Sequence, residues 1–242
     1  MGTVFLGVPP ENFISRTVVA GLRAAVLELD RDDSVRSVVV VGSGPANFSE
    51  GLDLEEWSSL STKESIDALQ TAFEALWALE HMTKPSVAAI EGTCRGAGAE
   101  VALACDLRVG SESLQLSFPQ VDSAWMPSHG GTARLSRIVG RAKALDILLS
   151  ARVLSAAELH DMGIVDSVTP AGSALSRATL VARTFAAKPR GSVRAIKRTL
   201  TEGDEKPYRN RFLLETQHSA QLIASEDYRG ALRRRRKGPE RS

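Results

Sequence analysis

The stretch SVAAIEGTCRGAGAEVALACDL, residues 86–107, decides the fold. Its first five residues form an almost wholly apolar run, which is typical of a strand buried on both faces of a parallel sheet. A glycine-bearing turn follows at 92–98, and residues 99–105 have the composition of a buried helix. Strand, glycine turn and helix in this order predict one repeating unit of an α/β protein.

A second stretch, VVVVGSGPANFSEGLDL at 38–54, follows the same plan. It too has a buried strand, a glycine-containing turn, and an acidic residue followed by apolar ones. Together the two stretches predict an irregular ββα-type repeat. Positions 92–98 read GTCRGAG, so neither a G-x-G-x-x-G fingerprint nor a P-loop is present, and the pattern does not favour a Rossmann unit.

The periodicity of the remaining sequence predicts further strands at 4–7, 37–41, 107–110 and 114–118. It predicts helices at 14–29, 63–81, 142–150, 156–162, 175–187, 192–202 and 211–223. Two of these helices begin at a capping box, Ser61 with Glu64 and Ser155 with Glu158. Beyond about residue 140 the pattern indicates helices almost alone, which suggests a core followed by a helical C-terminal part.

Composition and charge exclude several classes of function. The 242 residues are 43% hydrophobic and 24% charged, with a net charge of +1, so no overall field favours nucleic acid or a membrane. Two cysteines and four scattered histidines lack metal-ligand spacing, so we expect no metal site. With no signal peptide and no apolar run of the ~20 residues that span a bilayer, the expected location is the cytoplasm.

Both glycine turns, 48–54 and 96–100, present backbone N–H groups. The N–H groups of the first helical turn lack intrahelical acceptors and lie at the positive end of the helix dipole. One N–H group from each turn can converge on a single oxygen, as in an oxyanion hole. Glycine turns of this kind also occur for packing alone, so the pattern by itself leaves both interpretations open.

Five stretches, in order along nearly the whole chain, resemble the enoyl-CoA hydratase/isomerase (crotonase) family. They are ANFSEGLDL (46–54), KPSVAAIEGTCRGAGAEVALACDLRV (84–109), FPQVDSAWMPSHGGTARLSRIVG (118–140), AKALDILLSARVLSAAELHDMGIVDSV (142–168) and SEDYRGALRRRRKGPE (225–240). The second stretch is the most specific. Five matches in register make convergence an unsatisfactory explanation.

The resemblance implies an α/β crotonase-like spiral core of ββα turns at 1–175 and a C-terminal helical trimerisation region at 176–242. It implies a homotrimer or hexamer that takes an acyl thioester of coenzyme A, or of an acyl-carrier protein. Coenzyme A is then part of the substrate, and no separate cofactor is expected.

Specific residues carry over from the family pattern. The oxyanion-hole amides are expected to be those of Leu52 and Ala97, where Ala97 replaces the usual middle glycine. Glu100 falls on the first catalytic glutamate of the hydratases. Gln120 falls at the position of the second catalytic glutamate. A glutamine does not titrate near neutral pH, so it can orient water or substrate but cannot act as an acid or base.

That departure leaves three hypotheses open. Hydration needs one group to activate water and another to deliver a proton, so Gln120 puts ordinary two-glutamate hydration in doubt. Glu100 alone suffices for a proton shuttle, as in double-bond isomerisation. A divergent crotonase could instead combine Glu100 with His129 for decarboxylation, dehydration or C–C cleavage. A non-catalytic accessory subunit is the third hypothesis.

The loop after Gln120 supplies the remaining candidates. Ser128 falls where some relatives place a catalytic aspartate, and His129 is a second acid/base or a surface-loop histidine. Asp122 and Trp125 lie on the same loop, and Trp125 either walls the acyl pocket or packs between subunits. The basic run at 233–237 is either a solvated end or an attraction for the phosphates of coenzyme A; nucleic-acid binding fits it less well.

Overall fold

The computed structural model describes residues 1–204 and 206–237, and in the last helix it describes side chains as far as Arg233. The side chains at 234–237 and the tail at 238–242 lie outside the described part, so the hypotheses for the basic run are not addressed there. In the described ranges no helix is long and apolar enough to cross a membrane. The same ranges hold no cluster of histidine, cysteine and carboxylate side chains able to bind a metal.

Strands and helices alternate through the first half of the chain, as the sequence predicted. The strands are β1 (Gly2–Leu6), β2 (Val38–Gly42), β3 (Ser86–Ile90), β4 (Thr93–Arg95), β5 (Leu107–Ser111), β6 (Gln115–Ser117), β7 (Leu154–Ser155) and β8 (Ser167–Thr169). The helices are α1 (Arg16–Arg31), α2 (Leu54–Ser58), α3 (Thr62–His81), α4 (Ala97–Ala104), α5 (Gly131–Val139), α6 (Arg141–Ser150), α7 (Ala156–Asp161), α8 (Ala174–Ala186), α9 (Arg190–Gly203), α10 (Tyr208–Ile223) and α11 (Glu226–Lys237).

Two sheets form the repeating core. The larger is parallel with strand order β1-β2-β3-β5-β8, and the smaller has the order β4-β6-β7. Each repeat of the chain therefore contributes one strand to the large sheet, and the third and fourth repeats also contribute β4 and β6 to the small sheet. This arrangement is the crotonase-like α/β fold that the sequence predicted.

The central strands of the large sheet are buried on both faces. In β2 and β3 every residue is buried, because alternate side chains enter two different core clusters. Val38 and Val40 face the larger cluster, while Val39 and Val41 pack with Ala178 of α8 on the other face. A valine moved from water into such a core contributes about 1.5–3 kcal/mol, which explains the unbroken β-branched run.

The two helix starts that the capping boxes predicted are confirmed. Both capping boxes form, at Ser61 with Glu64 and at Ser155 with Glu158. The structure also contains α2 and α5, which periodicity did not predict because each is short and interrupted by polar residues. Helix α8 packs against β2, β3 and β5; the domain boundary at 175/176 stays a prediction.

Candidate active site

Main-chain hydrogen bonds hold the two glycine turns side by side. Ser49 N–H donates to the Thr93 carbonyl at 3.0 Å, and Arg95 N–H donates to the Ser49 carbonyl at 2.9 Å. The first turn is also tied to the N-terminal segment, because Ile14 N–H donates to the Gly51 carbonyl at 2.7 Å. Two side chains add to this framework, because Gly51 N–H donates to Ser49 Oγ and Thr93 N–H donates to Asn47 Oδ1, each at 3.0 Å.

Gly51 permits the closest approach between these turns. Its φ of +97° lies in the region that favours glycine, and a Cβ there would lie 3.0 Å from the Arg95 carbonyl oxygen. The same Cβ position is 3.7 Å from the Ala97 nitrogen, so the residue directly before Leu52 lies against the start of α4. The amides of Leu52 and Ala97 thus belong to neighbouring segments.

Both amides lack an acceptor within the described residues. Ala97 is the first residue of α4, where backbone N–H groups have no intrahelical acceptor. Within the residues that the structure describes, neither the Leu52 nor the Ala97 N–H donates to a protein acceptor. The side chain of Ala97 is 2% exposed and belongs to the core cluster. These contacts fit the oxyanion hole expected from the sequence, which stays a prediction.

Glu100 lies on the first turn of α4, three residues after Ala97, and is 1% exposed. Its Oε1 accepts two backbone hydrogen bonds, from His129 N at 2.7 Å and from Gly131 N at 2.9 Å. Gly131 opens α5, so the positive end of that helix dipole faces the carboxylate. Oε1 is therefore occupied, and Oε2 is the oxygen left for chemistry.

Two side chains flank Oε2 of Glu100. The Nδ1 atom of His129 and the Nε2 atom of Gln120 each lie 3.4 Å from it. His129 is 3% exposed, so it is a buried neighbour of the carboxylate and not a surface-loop residue. In the described chain, His129 Nε2 and Gln120 Oε1 are buried without a protein partner. For a ligand or water this leaves an acceptor on Gln120 and a donor or acceptor, depending on the tautomer, on His129.

Arg134 positions the loop that carries His129. Its guanidinium donates from Nη1 to the His129 carbonyl at 2.7 Å, and from Nη2 to Glu80 Oε2 at 2.7 Å. The forked group thereby joins α3 to the start of α5. Sequence reasoning missed both Arg134 and Glu80, because the pairing joins residues 54 positions apart.

The other predicted loop residues divide into two groups. Trp125 is joined to the site through Trp57 of α2, with ring centroids 5.7 Å apart and edge to face, and Trp57 in turn lies 6.3 Å from the His129 ring. Asp122 is exposed and Ser128 half-buried, and in the described residues neither side chain makes a hydrogen bond with Glu100 or His129. Sequence reasoning missed Trp57 together with its helix.

Cys94 lies beside the turns without contributing a reactive group. Its side chain is fully buried, and this burial raises the pKa of its thiol well above the ordinary value. The thiol therefore stays protonated at neutral pH, as expected for a cysteine that packs as a small apolar side chain. Burial likewise raises the pKa of Cys105 to about 12.

Comparison with known proteins agrees with this geometry. The sequence model for enoyl-CoA hydratase/isomerase matches residues 3–239. The chain belongs to the enoyl-CoA hydratase/isomerase family. Among its relatives is YngF of Bacillus subtilis, which carries the name enoyl-CoA hydratase/isomerase and is 30% identical over 91% of this chain and 85% of its own.

Two solved structures superpose closely on this chain. DspI of Pseudomonas aeruginosa gives a TM-score of 0.92 at 29% identity and covers 96% of this chain and 88% of its own. The enoyl-CoA hydratase of Bacillus anthracis gives a TM-score of 0.90 at 26% identity, over 93% and 88% of the two chains. The crotonase-like fold is shared over nearly the whole length.

Proposed function

We propose that this family member binds an acyl thioester of coenzyme A or of a carrier protein and moves a proton on its acyl group. The thioester carbonyl oxygen accepts hydrogen bonds from the N–H groups of Leu52 and Ala97, and Glu100 is the base. The observation that carries the proposal is the spacing of Ala97 and Glu100 on one helical turn, where Cβ atoms lie about 5–6 Å apart. This spacing supports a site in which an oxyanion donor and a buried carboxylate act on the same part of the substrate.

The reaction that follows from one base is double-bond isomerisation. Oε2 of Glu100 takes a proton from C2 of a 3-enoyl thioester, and the electron pair is delocalised onto the carbonyl oxygen between the two amides. The protonated carboxyl then returns a proton at C4, which gives the 2-enoyl thioester and restores the carboxylate. No water, oxidant or reductant is consumed. Donors aimed at a developing oxyanion are worth about 3–4 kcal/mol each.

The contacts of His129 favour a second candidate, in which His129 and Glu100 act together as acid and base. The imidazole meets Glu100 through Nδ1 and, among the described residues, has no protein partner at Nε2, so it supplies a titratable group where Gln120 does not. Such a pair would suit a dehydration, decarboxylation or C–C cleavage on a larger thioester. A chain without catalysis, serving as an accessory subunit, is the third outcome.

A substrate panel with two variants separates these candidates. We expect conversion of 3-hexenoyl-CoA to the 2-enoyl isomer, with little hydration of crotonyl-CoA, and full dependence on Glu100. His129→Ala should then retain most isomerisation. Loss of all turnover in His129→Ala would instead favour the paired mechanism, and binding without turnover by the wild type would favour the accessory subunit.

We also propose that the C-terminal helices form a homotrimer or hexamer contact. Helices α9 and α10 pack on each other and still expose large apolar side chains, among them Ile196, Leu200, Phe212 and Leu213. Burying such side chains against another subunit would be favourable. Light scattering should therefore give a mass near three or six chains, and a monomer at micromolar concentration would contradict this proposal.

A further inference from the structure

A pocket of about 190 Å³ lies between α1, α2 and α3, outside the site described above. Its apolar lining comes from Val19, Trp57 and Ala68, which are buried, and its mouth carries the exposed Arg16, Asp67 and Thr71. A cavity of roughly 150 Å³ is enough to hold a benzene ring. The pocket can therefore take a ring or several methylene groups of a ligand.

Trp57 separates this pocket from the candidate active site. Its indole lines the pocket, and it also meets the rings of Trp125 and His129, which do not line it. Trp57 is 5% exposed, and it is the residue through which the pocket adjoins the rings of the candidate site. Trp57 follows the expected oxyanion residue Leu52 by five positions, at the end of a helical turn capped by Asp53.

Packing alone holds the indole in place. Its Nε1 is buried and has no acceptor in the part of the chain that the structure describes. Its neighbours are aromatic rings met edge to face, contacts worth about as much as one weak hydrogen bond. Replacing Trp57 by another apolar side chain therefore breaks no hydrogen bond in the described part of the chain.

We propose that Trp57 sets the length of the acyl group by closing the acyl site, and that the pocket behind it receives longer chains once the indole is removed. This inference rests on the proposed acyl-thioester function. The native substrate then carries a short acyl group that ends at the indole, and a smaller residue at position 57 joins site and pocket into one channel. The polar mouth formed by Arg16 and Asp67 would remain in water.

Affinity for saturated acyl-CoA thioesters tests the proposal without requiring turnover. Titration calorimetry with butyryl-CoA and octanoyl-CoA gives a ratio of affinities for each variant. Trp57→Ala should raise the octanoyl-to-butyryl ratio at least about tenfold over wild type, which two newly buried methylene groups supply. Trp57→Phe keeps an aromatic ring between the acyl site and the pocket, so the octanoyl-to-butyryl ratio should stay within about threefold of the wild-type value. Trp57→Leu is a milder truncation should Trp57→Ala unfold.

The double variant Trp57→Ala with Thr71→Phe fills the pocket from its mouth. It should abolish the gain for octanoyl-CoA, while Thr71→Phe alone should not change the affinity for butyryl-CoA. An unchanged ratio in both truncations would overturn the inference, as would a gain that survives Thr71→Phe. If the wild type binds butyryl-CoA and the ratio does not move, only the inference fails. If no acyl-CoA binds, the proposed function fails with it.

Discussion

The two halves of the candidate site are built by different means. The expected oxyanion half consists of two turns joined mainly through backbone N–H and carbonyl groups around Ser49 and Thr93, with added support from the side chains of Ser49 and Asn47, which accept from Gly51 N–H and Thr93 N–H at 3.0 Å. The acid/base half consists of three side chains, Glu100 from α4 and Gln120 and His129 from the loop after β6, and the last two were expected from the sequence to depart from the family pattern. If the proposed function holds, backbone geometry binds the thioester, while these side chains decide which reaction follows.

Glu100→Gln should have the largest effect, because it removes the only carboxylate that the acid/base half contributes. General acid/base catalysis is worth about 10²–10⁴-fold, so the rate of isomerisation should fall by that factor. Glutamine can still contact the N–H groups of His129 and Gly131, so acyl-CoA affinity should stay within about threefold. Steady-state kinetics together with calorimetry would measure both, and retained turnover would rule out Glu100 as the base.

Gly51→Ala tests the backbone half. A methyl group there would meet the Arg95 carbonyl at 3.0 Å with φ at +97°, so the turn must move and the Leu52 amide with it. Losing one oxyanion donor costs about 10²–10³ in kcat, and the strained backbone costs about 1–3 kcal/mol of stability.

Gly21→Ala in α1 is the matched control. A Cβ there meets nothing within 4 Å, so it should stabilise the fold by about 0.4–1 kcal/mol and leave kcat unchanged. Equal effects of the two substitutions on kcat would show that the turn has no part in catalysis.

Gln120→Glu would give the acid/base half two carboxylates, which is the pattern that the sequence analysis expects of the family's hydratases. Its carboxyl would lie near Oε2 of Glu100, and two carboxylates this close share one proton, so one could act as acid while the other acts as base. We expect hydration of crotonyl-CoA to rise at least about tenfold over wild type. Gln120→Ala, which removes the amide without adding an acid, should give no gain, and equal rates in the two variants would count against this account of the loop.

Arg134→Gln should have the smallest effect on rate, because Arg134 positions the loop and does not touch the substrate. Loss of its hydrogen bonds to Glu80 and the His129 carbonyl should cost about 2–3 kcal/mol of stability and lower kcat severalfold with little change in KM. Arg137→Gln is the control: Arg137 is half exposed and lies 3.9 Å from Glu80, so its loss should cost under about 1 kcal/mol. Matching denaturation midpoints for the two variants would contradict the positioning role.

Local patterns predicted the strand and glycine turn of the backbone half, and the family resemblance named Glu100, Gln120 and His129, which the structure brings together; the contacts that hold them could not be predicted, for a physical reason. The strand from Ser86 to Ile90 and the glycine turn after it follow from local patterns, namely a run of apolar residues and positions that need glycine. The contacts of Glu100 with His129 and Gly131 span about 30 residues and depend on where α5 begins, which no local pattern indicates. Trp57 was missed because α2 is a single turn that has no periodicity to detect.

Exchange of the C2 protons of butyryl-CoA in D₂O tests the central claim most directly, because a saturated thioester can enolise but cannot isomerise or be hydrated. Mass spectrometry of the recovered thioester should show deuterium entering C2 far faster with the wild-type protein than in buffer. Glu100→Gln should return the rate to that of buffer. Exchange no faster than buffer with wild-type protein that binds butyryl-CoA would contradict the claim that this site stabilises an enolate.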